Sequence, residues 1–309
     1  MAKNKIDPIT VAFAVDQNYV QHLSVTMLSI LHNKKADVHV HFVVIGDKLS
    51  EESISVLKQL TQNHDASILF PEVEFSFFNT LINLKTLPHI SRATCGRLAL
   101  DDIFEGDKLL YLDCDILVRD DISALWDIEI AEYYAGAVWD PAQKDGNRRL
   151  GLPPEAPYFN SGVLMLNMRQ CRQDNVMRKA LTFMYENSGK LMFPDQDGLN
   201  VAMNNNWFPL HPRWNVQSFM FNIFYNGKLR GKYPSDIIEA VKNPAIVHFT
   251  SKGKPWQYHC ENPYVEEYYK YLALTPWKGT PPEGRSFRGM IRKNRRLLKR
   301  RLKSAILGF

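Results

Sequence analysis

The sequence predicts an α/β domain in which helices flank a central, mostly parallel β-sheet. Short apolar segments alternate along the chain with segments whose apolar residues recur at helical spacing. Strand, helix and strand follow one another from the start, which favours right-handed crossovers between parallel strands. The chain of 309 residues can also bury a full core, as one large α/β domain or as two smaller ones.

The first five elements are predicted to alternate strictly between strand and helix. Strands are expected over residues 10–15, 38–45 and 66–70. Between the first two strands, apolar residues recur at helical spacing, at Val20, Leu23, Met27, Ile30 and Leu31. The side chain of Ser50 is expected to cap the second helix, which carries two glutamates in its positive first turn.

The remaining elements are predicted from the same signals. Buried strands are expected over residues 109–112, 135–139, 158–167 and 245–249. Helices are expected from a cap at Ser91 to about residue 104, over residues 168–186, and from Pro194 onward. The polar segment 143–157, which is rich in glycine and proline, is a candidate mobile lid or acceptor loop.

Two carboxylates, Asp113 and Asp115, directly follow a predicted buried strand. Without a partner they would repel each other and each would be costly to desolvate, whereas a divalent cation such as Mg²⁺ or Mn²⁺ removes both costs. The alternative is a strand-to-turn junction in which Asp113 only caps a turn. Because ligands bind beyond the carboxyl ends of parallel strands, Asp16 and Asn18, which follow the first strand, are expected near the same site.

Polar residues at the ends of other elements extend this candidate site. His248 lies near a strand end, six residues before Lys254, so an imidazole that binds metal and an ammonium that binds phosphate could converge. An imidazole among carboxylates shifts the preference from Mg²⁺ towards Mn²⁺. Arg97 has two interpretations, an ion pair with Asp101 one helical turn away or a contact with an anionic ligand. Taken alone, Asp195 is best interpreted as an acidic residue at a positive helix start.

The composition disfavours several classes of protein. The four cysteines form no Cys-x-x-Cys pair, which argues against a zinc site or a disulfide scaffold and suits a reducing compartment. The sequence contains no glycine-rich dinucleotide fingerprint and no P-loop. It also has no apolar run long enough for a signal-peptide core or a transmembrane helix, so the protein is expected in the cytoplasm.

The net charge of +5 conceals a division between an acidic body and a basic tail. The last acidic residue is Glu283, and residues 285–303 contain ten lysines or arginines, which leaves 28 basic against 33 acidic residues in the preceding chain. We therefore divide the chain into a main domain of residues 1–280 and a basic amphipathic tail of residues 281–309.

One helical face of the tail is predicted to be apolar. Its members are Phe287, Met290, Ile291, Leu298, Leu302, Ile306 and Phe309. Arginines and lysines surround this face, which is typical of a helix that lies in an anionic membrane interface. We therefore expect peripheral attachment to the inner face of the plasma membrane through residues 285–309. A tail that binds nucleic acid and a disordered, solvated end are the alternatives, and the apolar face disfavours both.

Taken in order, these segments resemble glycosyltransferase family 8, the retaining nucleotide-sugar transferases of GT-A fold that include bacterial lipopolysaccharide galactosyl- and glucosyltransferases. The matching segments are residues 13–19, Arg97, and residues 111–115, 159–164, 195–200, 214–215 and 248–256. They occur in the family's order within residues 10–260. The resemblance implies a GT-A fold, a UDP-galactose or UDP-glucose donor, and a saccharide or glycolipid acceptor.

The resemblance also implies roles for individual residues. The metal, Mn²⁺ in the family, is assigned to Asp113, Asp115 and His248. The uridine is assigned to Ala14, Asp16, Asn18 and Tyr19. The diphosphate is assigned to Lys254 and to the backbone of Ser251, at a position where glycine is common in the family. The donor sugar is assigned to Arg97, Asp140, Asn160, Asp195 and Gln196.

The chemistry that follows from this assignment is a transfer with retained configuration. Gln196 is the candidate group beneath the sugar, and the carboxylates of Asp195 and Asp140 would stabilise an oxocarbenium-like centre. With no evident nucleophile beside a base, same-face attack is favoured, in which the departing phosphate takes the acceptor's proton. A phosphohydrolase with Asp113 as nucleophile is disfavoured, because such enzymes usually have a small polar residue at the position of Leu117. A nucleic-acid binder that acts through the tail would not account for the motifs in the acidic body.

Overall fold

A computed structural model describes residues 8–75, 92–143, 145–225, 235–250 and 253–286. Within these ranges the chain has the α/β architecture that the sequence predicts, a central, mostly parallel sheet flanked by helices. No helix of the described ranges combines the length and the apolar character needed to cross a bilayer. The basic tail from residue 287 onward lies outside the described residues, as do Ser91 and Ser251.

The elements follow one another in chain order. The first half contains β1 (Ile9–Asp16), α1 (Val20–Asn33), β2 (Val40–Asp47), α2 (Glu51–Gln62), β3 (Ala66–Leu69), α3 (Leu100–Ile103), β4 (Lys108–Leu112), β5 (Ile116–Val118), α4 (Ser123–Trp126) and β6 (Ala135–Trp139). The second half contains α5 (Gly146–Leu150), β7 (Phe159–Asn167), α6 (Met168–Gln173), α7 (Val176–Glu186), α8 (Pro194–Met203), β8 (Trp207–Pro209), β9 (Val216–Gln217), α9 (Ser218–Tyr225), α10 (Ser235–Lys242), β10 (Ile246–His248) and α11 (Val265–Leu272). Short 3-10 helices cover Gln17–Tyr19, Arg92–Ala99 and Pro212–Trp214.

Two sheets organise the molecule. The larger sheet has the strand order β3-β2-β1-β4-β7-β6-β8, and the smaller one has the order β5-β10-β9. In the larger sheet β7 runs antiparallel to both of its neighbours, while the other neighbouring pairs are parallel. The smaller sheet begins immediately after β4, so residues 113–115 form the link between the two sheets.

Both faces of the larger sheet are buried, which accounts for its nearly continuous apolar strands. In β4, Leu110 and Leu112 pack into one core cluster, whereas Leu109 and Tyr111 pack into the cluster on the opposite face. Successive side chains of a strand point to opposite faces, so a strand between two helical layers must be apolar at every position. This burial on both faces explains why the strand before Asp113 is continuously apolar in the sequence.

The structure departs from the predicted helices in two places. The helix expected over residues 168–186 is broken into α6 and α7 at Asn175, which adopts a left-handed φ of 54°. Asparagine tolerates this conformation better than most residues, so the break is compatible with the local sequence. The helix expected up to residue 104 is a 3-10 helix over Arg92–Ala99 before α3 begins. By contrast, the Ser50 side chain accepts a hydrogen bond from the Ser53 backbone N–H and caps α2 as predicted.

Candidate active site

The candidate metal ligands meet at the junction of the two sheets. Antiparallel pairing of β5 with β10 sets His248 opposite Ile116, directly beside the two carboxylates that precede β5. The Nε2 atom of His248 lies 3.2 Å from Asp115 Oδ1 and 3.6 Å from Asp113 Oδ2. One ligand atom from each of the three residues lies within 4.8 Å of the others. Strand pairing therefore unites groups that are far apart in the sequence.

The donor set at this point fits a divalent cation. Two carboxylates and one imidazole are a set that accommodates Mn²⁺, with positions left for diphosphate oxygens. Asp115 and His248 are buried, so their polar atoms need a partner that compensates for lost hydration. The three side chains can approach one another here only because residue 162 is a glycine. A Cβ atom on Gly162 would lie 2.1 Å from His248 Cε1 and 2.6 Å from Asp113 Oδ2.

Two cationic side chains flank the carboxylates. The Nζ atom of Lys254 contacts Asp115 Oδ2 and donates to the Phe249 carbonyl at 2.9 Å. Arg97 is 2% exposed and lies over the ring of Tyr111, and its Nη2 donates to Asp113 Oδ1 at 2.8 Å. Both lysine and arginine thus lie where they would meet a diphosphate bound beside the carboxylates.

The local geometry decides between the two interpretations of Arg97. Its Nε lies 3.2 Å from Asp195 Oδ2, and its Nη1 donates to the Ser161 carbonyl at 2.6 Å. Asp101 instead lies near Arg172 and accepts a hydrogen bond from the Met177 backbone. The intrahelical pair with Asp101 is therefore not the arrangement adopted, and the guanidinium faces the site.

Burial and charge set the protonation of the site. Burial opposes ionisation of Asp115, but opposite charge, above all the Lys254 ammonium, holds the pKa of Asp115 well below its ordinary value. Burial raises the pKa of Asp195 above its ordinary value, against the effect of the Arg97 charge. Burial also raises the pKa of Asp140. These two carboxyls thus ionise less readily than exposed aspartates.

A cavity of about 150 Å³ opens beside the carboxylates, at the end of β1. Residues assigned to uridine, donor sugar and metal line it together, namely Ala14, Asp16, Tyr19, Arg97, Asp113 and Asp115. The Asp16 side chain accepts a hydrogen bond from the backbone of Asn18, whose own side chain is exposed at the rim. The ring of Tyr19 packs edge-on against His22 and Trp256, which orients the aromatic wall of this cavity.

The side chains assigned to the donor sugar form a buried polar cluster next to the metal ligands. Gln196 Oε1 accepts hydrogen bonds from the Ser161 backbone N–H at 3.0 Å and from Asn160 Nδ2 at 3.2 Å. Gln196 Nε2 donates to Asp140 Oδ2 at 3.3 Å, and Ser161 Oγ donates to Asp195 Oδ2 at 3.3 Å. Among the residues assigned to the metal, the uridine, the diphosphate and the donor sugar, Ser251 alone lies outside the described chain.

Several residues of the site were not assigned a role from the sequence. Gly162 leaves the space that His248 occupies. The Oδ1 atom of Asn215 lies 2.9 Å from His248 Nδ1, within hydrogen-bond distance. Arg149 binds both carboxylate oxygens of Asp197, at 2.9 and 2.6 Å, and thereby connects α5 to the start of α8. A glycine inside a strand is a sequence signal for close approach of another group. Asn215 and Arg149 carry no comparable signal.

The family comparison shows the class of enzyme to which this fold and site belong, the glycosyltransferases. The chain belongs to glycosyl transferase family 8, whose family model matches residues 10–260. The resemblance that the sequence motifs predict is thus confirmed.

Known relatives cover nearly the whole chain. General stress protein A of Bacillus subtilis strain 168 is 31% identical over 288 residues, which are 90% of this chain and 96% of that protein. Lipopolysaccharide 1,2-glucosyltransferase of Escherichia coli strain K12 is 27% identical over 287 residues, 90% of this chain and 82% of that protein. The crystal structure of galactosyltransferase LgtC in complex with donor and acceptor sugar analogs superposes with a TM-score of 0.75 at 25% identity, covering 89% of this chain and 98% of that one.

Proposed function

We propose that the protein is a Mn²⁺-dependent, retaining hexosyltransferase. It moves galactose or glucose from a UDP-sugar to a saccharide acceptor of lipopolysaccharide or another cell-surface glycolipid. The observation that carries this proposal is the convergence of Asp113, Asp115 and His248 beside the cavity that Asp16 and Tyr19 line. The names of the lipopolysaccharide glucosyltransferase and of LgtC support a hexose and a glycan acceptor. A protein or a soluble acceptor is the alternative.

The leaving group determines what the cationic residues do. When the sugar–phosphate bond breaks, the diphosphate oxygen takes the electron pair and UDP gains negative charge. A bound Mn²⁺ would supply Lewis-acid stabilisation of that charge. Lys254 and Arg97 are held in place by Asp115 and Asp113, so their positive charges need no reorganisation as the bond breaks.

The sugar side of the reaction falls to the buried polar cluster. As the anomeric carbon becomes oxocarbenium-like, the carboxylates of Asp195 and Asp140 stabilise its positive charge. The acceptor oxygen attacks from the face that UDP leaves, and its proton passes to the departing phosphate. Two donors already engage the Gln196 amide oxygen, which supports a positioning role beneath the sugar over a covalent one.

The test is donor cleavage by the full-length protein with Mn²⁺ and either UDP-glucose or UDP-galactose. We expect UDP release from one donor, faster with a glycolipid acceptor, and retained anomeric configuration by NMR. The double variant D113N/D115N should lose at least about a hundredfold in turnover, and the exposed control D127N should not. The absence of UDP release from both donors, or an inverted product, would refute the proposal.

We further propose that residues 285–309 attach the protein to an anionic membrane, which would bring the site to a glycolipid acceptor. The ten basic residues of this tail support it, since each contributes about 1 kcal/mol near an anionic surface. The full chain should float with phosphatidylglycerol vesicles and not with phosphatidylcholine vesicles. Replacing Arg295, Arg296, Arg300 and Arg301 with glutamine should abolish flotation. Unchanged flotation would contradict this attachment.

A further inference from the structure

A continuous line of hydrogen bonds connects His248 to Asp140 through three buried amide side chains. His248 Nδ1 lies 2.9 Å from Asn215 Oδ1, and Asn215 Nδ2 donates to Asn160 Oδ1 at 2.9 Å. Asn160 Nδ2 donates to Gln196 Oε1 at 3.2 Å, and Gln196 Nε2 donates to Asp140 Oδ2 at 3.3 Å. All five side chains are at least nine-tenths buried, so water does not substitute for these partners.

Backbone N–H groups fix the direction of this line. The Gly162 N–H can only donate, and it contacts Asn160 Oδ1 at 3.1 Å. The Ser161 N–H likewise donates to Gln196 Oε1 at 3.0 Å. The oxygens of Asn160 and Gln196 are therefore identified without reference to each other. Asn215 must then present its NH₂ group to Asn160 and its oxygen to His248.

The protonation of His248 follows from that direction. An amide oxygen can only accept, so His248 carries its proton on Nδ1, and the lone pair of Nε2 faces the two carboxylates. Metal-binding histidines depend on such an outer partner to fix their tautomer and ring orientation. Every donor in the line points the same way, from the imidazole to the carboxylate of Asp140.

We propose that Asn215 is a positioning residue, which with Asn160 forms a one-way relay that holds the metal-binding tautomer of His248 and fixes the Gln196 amide against Asp140. This inference rests on the proposed function and deepens it. The relay joins the side of the site that holds diphosphate to the side that holds the sugar. Hydrogen bonds in a low-dielectric interior polarise one another, so the ends are coupled through the amides.

Because the hydrogen bonds of the relay all run in one direction, substitution by alanine and substitution by aspartate should have different effects. In Asn215→Ala, His248 Nδ1 loses its acceptor, so both tautomer control and the relay are lost. In Asn215→Asp, a carboxylate oxygen still accepts from His248, but the side chain no longer donates to Asn160 Oδ1, which keeps only the Gly162 N–H. Asn160→Asp leaves the histidine end intact and breaks the next link, because two oxygens then face each other at Gln196.

The experiment measures Mn²⁺ affinity by EPR on full-length protein without nucleotide, and then kcat and KM for UDP release. N215A should bind Mn²⁺ about 10- to 100-fold more weakly. N215D and N160D should bind Mn²⁺ within about threefold of the parent, yet lose at least about tenfold in kcat with little change in KM. The matched control is N33D, which loses donors to the Val118 carbonyl and the Tyr271 hydroxyl, neither of which lines the site, and should alter stability without altering Mn²⁺ affinity.

The outcomes separate this inference from the proposed function. Parent-like Mn²⁺ affinity in N215A, or parent-like kcat in N215D, would overturn the relay. A parallel loss of stability, affinity and turnover in all three site variants would also overturn it, since that is the result expected of a purely structural residue. A parent chain that binds Mn²⁺ but releases no UDP would count against the proposed function, while the affinities would still test the histidine end.

Discussion

At the scale of single residues, Gly162 shows how strongly the metal site depends on empty space. Asp113 N donates to the Gly162 carbonyl at 2.9 Å, so the glycine lies against the carboxylates as well as against His248. Because β4 and β7 are paired here, neither strand can move away without breaking its ladder. Any side chain at this position must therefore displace the imidazole or a carboxylate.

We predict that Gly162→Ala strongly weakens metal binding and only moderately destabilises the fold. The added methyl group overlaps His248 Cε1, at the 2.1 Å given above, and overpacking of this kind costs about 1–3 kcal/mol. Displacement of the His248 ring should weaken Mn²⁺ binding by at least about tenfold, as measured by EPR titration. The control is G189A, because a Cβ there meets nothing within 4 Å. Equal metal affinity in both variants would contradict the role given to Gly162.

A second residue-scale prediction concerns Asp101, whose Oδ1 atom is buried without a hydrogen-bond partner in the described part of the chain. Burial raises its pKa to about 6, so the folded state binds this proton more tightly than the unfolded state. Stability should therefore fall as pH rises from about 4 to about 6. A pKa shift of this size changes the free energy of unfolding by about 3 kcal/mol when the group is fully buried. Because Asp101 is partly exposed, solvent screening reduces this to about 1 kcal/mol.

Asp101→Asn should remove that cost. Urea denaturation should show the variant to be about 1 kcal/mol more stable than the parent at about pH 7, with no gain near pH 4. The exposed neighbour offers the control, since D102N should change stability by less than about 0.5 kcal/mol at either pH. A gain that is the same at both pH values would exclude titration of Asp101 as its cause.

At the scale of elements, the sequence predicts what is local and misses what strand pairing decides. The buried strand before Asp113, the cap at Ser50 and the helix after Pro194 all have local signals, and each forms. The three-residue strand β5 and the two-residue strand β9 are too short for a periodic signal. The pairing of β5 with β10, which positions His248, arises from tertiary packing and was not predicted.

The same limit applies to the site. Carboxylates at a strand end favour a cation, but a strand-to-turn junction is the alternative for the pair alone, and only the other segments make the cation the better prediction. The partner of Arg97 was left open, because an arginine can pair along its helix or across the fold, and the fold decided it. The role of Asn215 depends on amide oxygens fixed by the backbone of a different strand, which only coordinates reveal.

An element-scale prediction concerns the connection of α5 to α8. Asp197 is fully buried and receives Arg149 from α5 together with the hydroxyl of Tyr158. This contact places helical structure inside the segment predicted as a mobile lid, and it ties that segment to the helix that carries Gln196. The segment is therefore connected to the site through the ion pair between Arg149 and Asp197.

We predict that Arg149→Met destabilises the protein by about 2 kcal/mol, less than the usual cost of breaking a buried pair, because Tyr158 and two backbone N–H groups still bind Asp197. Because α8 is then less firmly held, kcat should fall together with stability. The adjacent R148M is the control, since Arg148 is exposed and should matter by less than about 0.5 kcal/mol. Denaturant melts and UDP release measure both effects, and equal losses in the two variants would contradict the connection.

At the scale of the whole molecule, the site draws its residues from both sheets. The end of β1 contributes Asp16, the link after β4 contributes the carboxylates, and β10 and the turn after it contribute His248 and Lys254. A ligand that binds all of them bridges the larger sheet and the smaller sheet. Ligand binding should therefore stabilise the fold as a unit rather than one segment of it.

The corresponding prediction is a thermal shift that requires metal and nucleotide together. A ligand at a hundred times its Kd stabilises the folded state by about 2.7 kcal/mol, which should raise Tm by about 5 °C in a protein of this size. UDP with Mn²⁺ should produce this shift, whereas UDP with EDTA, or a phosphate monoester with Mn²⁺, should produce much less. In D113N/D115N the Mn²⁺-dependent part of the shift should vanish, because this variant lacks both carboxylates that would hold the ion. A full shift by UDP in EDTA would mean that the carboxylates and His248 serve another purpose than metal binding.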